Sequence, residues 1–213
     1  MSISPETEYC IRPSTPSDID AAYHVCLKTG DSGADGTHLY PDDPKALGRI
    51  YVGPYIVYEP DLAFVLEDKE GVCGYVLGAL DSARFYKRYL EEWVPKMQAD
   101  HPEPTGDPAR WTPTQQLYYE YHHPVVHYPP SFAPYPSHLH IDMVQRAQGK
   151  GNGKRMMDFL LRKMIDLGSP GTHLAMSGVN TRAFQFYTKL GFVEIDRTGV
   201  PGNDVIFMAK RLP

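Results

Sequence analysis

Hydrophobic and polar positions alternate strictly over His138–Met143: Leu139, Ile141 and Met143 face one way, and His138, His140 and Asp142 the other. That two-residue period predicts a half-buried β-strand. Beyond it, Met157, Leu160, Leu161 and Met164 recur at helical spacing, and Gly168–Ser169–Pro170–Gly171 ends the run. Between strand and helix, glycine occupies positions 149, 151 and 153. Glycines there let the backbone turn with positive φ and approach a ligand without a Cβ in the way. The helix start would add free N–H groups and the positive end of its dipole, with Lys150, Lys154 and Arg155 nearby. Strand, glycine loop and helix start together predict a pyrophosphate cradle.

The same patterns organise the rest of the chain. Tyr9–Arg12 reads as a short strand, and Thr15–Pro16–Ser17–Asp18 opens a helix whose buried stripe is Ile19, Ala22, Tyr23, Cys26 and Leu27. An acidic, glycine-rich loop follows over 30–36 and continues through Asp42–Asp43, and 45–58 reads as the second helix. Leu62–Glu67 and Val72–Leu80 form a hairpin around Asp68–Lys69–Glu70–Gly71, and their nearly continuous apolar character predicts a sheet covered on both faces. Ser82–Gln98 and Thr114–His123 read as helices, the first with Phe85, Tyr89 and Trp93 on one side. A proline-rich bend separates them, and Pro124–Pro136 is rich in Pro, His and Tyr. Near the end, Asn180 caps a short helix that presents Phe184, Tyr187 and Leu190 and stops at Gly191. Phe192–Arg197 and Val205–Lys210 are two further strands around a turn over Gly199–Asp204.

Even composition over 213 residues predicts one domain, residues 1–213, large enough for a substantial core. A formal charge of −5 argues against a general nucleic-acid surface and for small-molecule or basic partners. Three cysteines without paired spacing point to free thiols in a reducing cytoplasm. The absence of a long apolar run or a basic-then-apolar N-terminus leaves neither membrane nor export as a reading. Sequence leaves the oligomeric state open.

The glycine loop is neither a P-loop, since Gly153–Lys154 is followed by Arg155, nor a dinucleotide fingerprint, which would need glycine at Lys154. Gln148-x-x-Gly151-x-Gly153 matches instead the Q/R-x-x-G-x-G/A motif of the GNAT acetyltransferase superfamily. Asn180–Phe192 resembles the N-x-x-A-x-x-F/L-Y-x-K-L-G-F block of the same superfamily, at the separation that superfamily shows. Both blocks, in order, imply a GNAT fold: an α/β architecture with a mixed, mostly antiparallel central sheet flanked by helices. An ordinary member passes from its third to its fourth strand by a short turn, whereas 81–137 intervene here, a length that points to function. That insertion, with Cys10–Arg12, Tyr23–Lys28 and above all Phe64–Tyr75, resembles the C-terminal acetyltransferase-like domain of O-GlcNAcase and its stand-alone bacterial relatives. No glycosidase domain is present, so sugar hydrolysis does not carry over.

The resemblance implies acetyl-CoA as cofactor and direct transfer of its acetyl group to an amine, on a small molecule or a protein lysine. It places acetyl-CoA against Met143, Val144, Gln148, Gly149, Lys150, Gly151, Asn152, Gly153, Lys154, Asn180, Phe184 and Tyr187, with backbone N–H groups at Asp142–Val144 polarising the thioester. Tyr187 maps onto the superfamily's usual general acid. His138, His140 and Asp142, on one strand face, are the candidate bases, and the residues do not choose among them. Asp35, in the acidic loop, would attract a cationic amine. Trp111, Tyr118, Tyr119, His122 and His123 would line the acceptor pocket if the insertion is a lid. His138 and His140 with His122 or His123 lack further ligands at diagnostic spacing, so no metal is expected. The animal domain has a degraded pyrophosphate loop, whereas Gln148, Gly151 and Gly153 are kept here. The alternative is a catalytically inactive module that binds acetyl-CoA or another protein.

Overall fold

The computed structural model describes residues 8–213. In chain order these form β1 (Cys10–Pro13), α1 (Ile19–Leu27), α2 (Ala46–Tyr51), α3 (Gly53–Tyr58), β2 (Ala63–Asp68) and β3 (Gly71–Ala79). The insertion then supplies α4 (Ser82–Arg88), a π turn (Tyr89–Trp93), α5 (Val94–Asp100) and α6 (Pro113–His122). β4 (Ser137–Met143), α7 (Asn152–Asp166), β5 (Gly171–Ser177), α8 (Thr181–Lys189), β6 (Val193–Val200) and β7 (Asn203–Arg211) complete the chain. The strands make one sheet in the order β1-β2-β3-β4-β5-β7-β6, antiparallel except where β4 runs beside β5. No helix among the described residues is long and apolar enough to cross a membrane.

Each face of the sheet has its own core. The alternation of β4 sends Leu139 into a cluster with Phe64, Leu66 and Val76 and the α7 stripe Met156, Met157, Leu160 and Met164. Those four α7 side chains are fully buried, and at ~1.5–3 kcal/mol each they fix the helix, and with it the glycine loop at its start. The opposite face packs α1, α2, α3 and the insertion helices against Val65, Tyr75 and Leu77.

Three readings of the pattern change, and one strand, β5, went unread. The helix expected over 45–58 is two, α2 and α3, broken at Val52 (φ −130°, ψ −54°). Pro54 has no N–H to continue the first helix, and its ring would clash with the carbonyl of Ile50. The run expected over Ser82–Gln98 extends to Asp100 but widens into a π turn just before Pro95, which cannot bond back to Glu91. The closing strands reach Val200 and resume at Asn203, so the turn is Pro201–Gly202, with Gly202 at φ +88°. β5 is not announced by alternation at all, because Gly171–Leu174 are buried whichever way they point.

β4 and β5 pair only at Ser137↔Thr172 and His138↔His173. Beyond His138 the two strands part, and a gap opens in the sheet.

Candidate active site

The end of β4 that parts from β5 borders a pocket of about 390 Å³. Ile141, Asp142 and Met143 of β4 border it on one side. Asn180, Arg182, Ala183, Phe186 and Tyr187, around α8, form the other. Gln148, Gly149, Gly151, Gly153 and Lys154 close one end, and Thr29 and Gly33 follow from α1 and its loop. An antiparallel ladder alternates which N–H groups face the partner strand. Val144 donates to the Cys73 carbonyl at 2.9 Å, so by that alternation Met143 directs its N–H away from β3, toward the gap. The N–H of Val144, by contrast, is not available to a ligand.

Gly149 and Gly151 take φ +74° and +78°, a region that costs other residues strain, and a Cβ on either would meet nothing within 4 Å. Open space on that side, together with the start of the fifteen-residue α7, makes the loop a cradle for an anion. Among the described residues the N–H groups of Gly149, Lys150 and Gly151 have no acceptor. Gln148 braces the loop: its Nε2 donates to the Met143 carbonyl (2.7 Å) and its Oε1 accepts from Arg182 (2.6 Å). Asn152 is a strut, buried with its amide on the Ala147 carbonyl (3.0 Å). Lys150 turns away to Glu8 (3.0 Å) and the Tyr9 hydroxyl (2.7 Å), while Lys154 borders the pocket. Ala183, Phe184 and Phe186 all pack against the core, and Ala183 and Phe186 also border the pocket, whereas Phe184 does not.

Of the three candidate bases only Asp142 reaches this pocket. The Tyr75 hydroxyl donates to its Oδ2 at 2.5 Å, yet burial is the larger effect and pushes its carboxyl up to about 6. Such a group is ionised at neutral pH and close enough to it to exchange a proton. Tyr187, 8% exposed, borders the same pocket, and its hydroxyl has no partner among the described residues. Burial and the nearby Asp142 raise its pKa and hold it protonated.

His138 cannot take a proton. Ser82 spends its hydroxyl hydrogen on the Pro136 carbonyl (2.7 Å), so it accepts from His138 Nδ1 (2.7 Å). Nε2 must then accept from the Tyr55 hydroxyl (2.7 Å). Buried at 2% exposure, with its pKa driven well below the ordinary range by desolvation, it is a neutral core residue. His140 lies on the far face against Tyr51 and Tyr55, and burial lowers its pKa to about 4, which makes it a weak base.

Asp35 is held by Lys28 (2.8 Å) and Thr37 and borders a neighbouring hollow with Arg146 and Arg182. Tyr118 donates to Asp43 (2.8 Å), Trp111 donates to the Thr105 carbonyl (3.1 Å) and tilts against Tyr119, and His122 bonds the His101 carbonyl (2.9 Å). Of the five insertion residues singled out above, His123 alone lines a pocket beside β4, on the far face. Thr29, Gly33, Ile141, Arg182, Ala183 and Phe186 border the cleft without having been anticipated. The i, i+3 and i+4 neighbours of Tyr187 on α8 were the available signal for Ala183.

The family model of the acetyltransferase (GNAT) family matches residues 34–192. The chain is 31% identical over 206 residues to rat (Rattus norvegicus) protein O-GlcNAcase, covering 96% of this chain and 22% of that protein. It thus spans about a fifth of the length of the curated relatives it matches. The crystal structure of SsHAT is 36% identical and superposes with a TM-score of 0.81 over 96% of this chain and 98% of that one. The structure of yncA from Salmonella typhimurium with its cofactor acetyl-CoA shares the fold at 14% identity (TM-score 0.55; 97% and 95% of the chains).

Proposed function

Because the chain belongs to the acetyltransferase (GNAT) family, we propose that the cleft between β4 and α8 binds acetyl-CoA and that the protein transfers its acetyl group to an amine. The observation carrying this reading is that one pocket unites an open anion cradle, a carboxyl with a pKa near 6 and a protonated tyrosine. The residues present fit the cofactor. The N–H groups of Gly149, Lys150 and Gly151, with Lys154 and Arg182, would hold its phosphates. Ile141, Met143, Ala183 and Phe186 would flank its pantetheine arm, and the N–H of Met143 would serve the thioester oxygen.

When bound, acetyl-CoA supplies the acetyl group: the amine nitrogen bonds the acetyl carbon as the carbon–sulfur bond breaks, giving an amide, a free thiol and one released proton. Asp142 takes a proton from the incoming ammonium on its carboxylate and returns it to solvent. Tyr187 gives its hydroxyl proton to the leaving sulfur and regains one from the nitrogen. Asn180, whose Oδ1 accepts from Ala183 N–H (3.0 Å), positions Tyr187 by fixing the start of α8. Gly153 and Phe186 narrow the cleft against water. The described residues act, on this reading, as one acetyltransferase domain.

The test is a thiol-release assay over a panel of amines, alongside calorimetry with acetyl-CoA. Amine-dependent release above the spontaneous rate supports the proposal. Tight acetyl-CoA binding with no amine acetylated would make the protein a carrier rather than an enzyme.

A further inference from the structure

On the opposite face of the sheet the insertion closes over a second pocket of about 410 Å³. It meets β4 at His140, next to the Ile141–Met143 stretch that borders the cleft. Its walls are ring faces and aliphatic groups, among them Tyr51, Tyr55, Phe85, Tyr89 and Phe207, and residues 123–127 roof it. Three of its four ionisable side chains other than tyrosine are accounted for. His123 bonds Glu103 (2.6 Å), His127 bonds Asp196 (2.7 Å), and His140 is held neutral.

Glu120 is the exception. It rises from the last turn of α6 at the rim of the pocket, and among the described residues it has neither an ion pair nor a hydrogen bond. The surrounding protein raises its carboxyl above the ordinary range, and no donor offsets that effect. Tyr51 and Tyr89 line the same pocket as Glu120. Glu120 is exposed at the rim, and a carboxylate at the edge of aromatic faces attracts a cation through direct charge pairing and cation–π attraction.

That cation is not the nitrogen that reacts. The reacting amine must lose its charge and reach Asp142 and Tyr187, both of which border the cleft and not this pocket. Resting on the acetyl-transfer reading above, we propose that the acceptor is a small diamine. One ammonium is held by Glu120 and the rings of Tyr51 and Tyr89, an apolar stem lies along the aromatic wall, and the second amine passes His140 toward Asp142. His138 and His140 are neutral, so neither puts a positive charge in its path. A protein lysine would bring one amine and no second charge for Glu120.

The test has two arms on the full chain. In calorimetry, 1,5-diaminopentane is titrated into the protein loaded with coenzyme A. In kinetics with acetyl-CoA, 1,5-diaminopentane, 1-aminopentane and a lysine peptide are compared. The diamine should exceed 1-aminopentane in kcat/KM by roughly 10–100-fold, as expected for one charged hydrogen-bonded contact. Glu120→Gln should bring that ratio close to one and weaken diamine binding by a similar factor. A wild type that does not bind the diamine, a preference that survives Glu120→Gln, or a lysine peptide used better than the diamine overturns the proposal. Amines acetylated without diamine preference would sink this inference and leave acetyl transfer standing. Diamine binding that depends on Glu120, with no amine acetylated, would leave a cation site at Glu120 but overturn both acetyl transfer and the diamine as acceptor.

Discussion

Asp142→Asn should remove activity and add stability, and the two effects have one origin. In the folded protein the carboxyl titrates near 6 instead of 3.8, because burial disfavours its charge more than Tyr75 favours it. As the general base it must be ionised, which it is to about 90% at pH 7 and about 10% at pH 5. Wild-type kcat/KM should therefore fall about tenfold between those pH values, along a single titration near 6. Asparagine cannot accept the proton, so turnover at pH 7 should drop by ~10²–10⁴-fold and the acidic limb should vanish. For stability the sign is opposite. A carboxyl whose folded pKa is raised destabilises the fold only when ionised. Its penalty is absent below pH 3.8, grows as pH rises, and is complete above about 6. At ~1.4 kcal/mol per pH unit, the gap between 3.8 and about 6 corresponds to about 3 kcal/mol. A weaker bond from Tyr75 and partial solvent access lower the gain on substitution to about 1–3 kcal/mol, or several degrees in Tm for a chain of this size. The assays are a thiol-release pH profile and calorimetric melts at pH 8 and pH 4, with the stabilisation present at pH 8 and lost at pH 4. A variant with wild-type kcat/KM, or one no more stable at pH 8 than the wild type, would refute the reasoning.

Tyr187→Phe keeps the ring against Phe186 and Phe192 but removes the proton destined for sulfur. Turnover should fall ~10²–10⁴-fold while acetyl-CoA affinity, measured by calorimetry, changes little. His138→Phe should leave the Tyr55 hydroxyl without its acceptor at ~1–3 kcal/mol, with Ser82 keeping its bond to Pro136, lowering Tm while the pH profile of the folded fraction stays centred near 6. Lys150→Ala should alter acetyl-CoA affinity by ~1 kcal/mol or less, since its side chain turns to Glu8 and Tyr9 and the loop's N–H groups remain.

Features set by local chemistry were legible in the sequence. The alternation over His138–Met143, the glycines of 149–153, the α7 stripe and the Asn180 cap all stand where their periods put them. What escaped depends on partners far along the chain. His138, His140 and Asp142 are equivalent by alternation, and contacts with Ser82, Tyr55, Tyr51 and Tyr75 are what separate a sealed core histidine from a carboxyl in a cleft. β5 was missed because a strand buried on both faces has no alternation to read. The insertion was legible as helices, but not which part turns inward. Tyr118 and His122 of α6 pair with Asp43 and His101, and Trp111 just before it with Thr105, while the segment 123–127 reaches the pocket.

The central claim is that the glycine loop at the head of α7 holds acetyl-CoA beside Asp142 and Tyr187. Calorimetric titration of acetyl-CoA into the wild type and Gly151→Val addresses it most directly. Position 151 has φ +78° and open space beside it, so valine strains the loop by ~1–2 kcal/mol and fills the cradle while the sheet and both cores remain. The account predicts a folded variant, by its melt and circular dichroism, that no longer binds acetyl-CoA. A folded variant with wild-type affinity would contradict it.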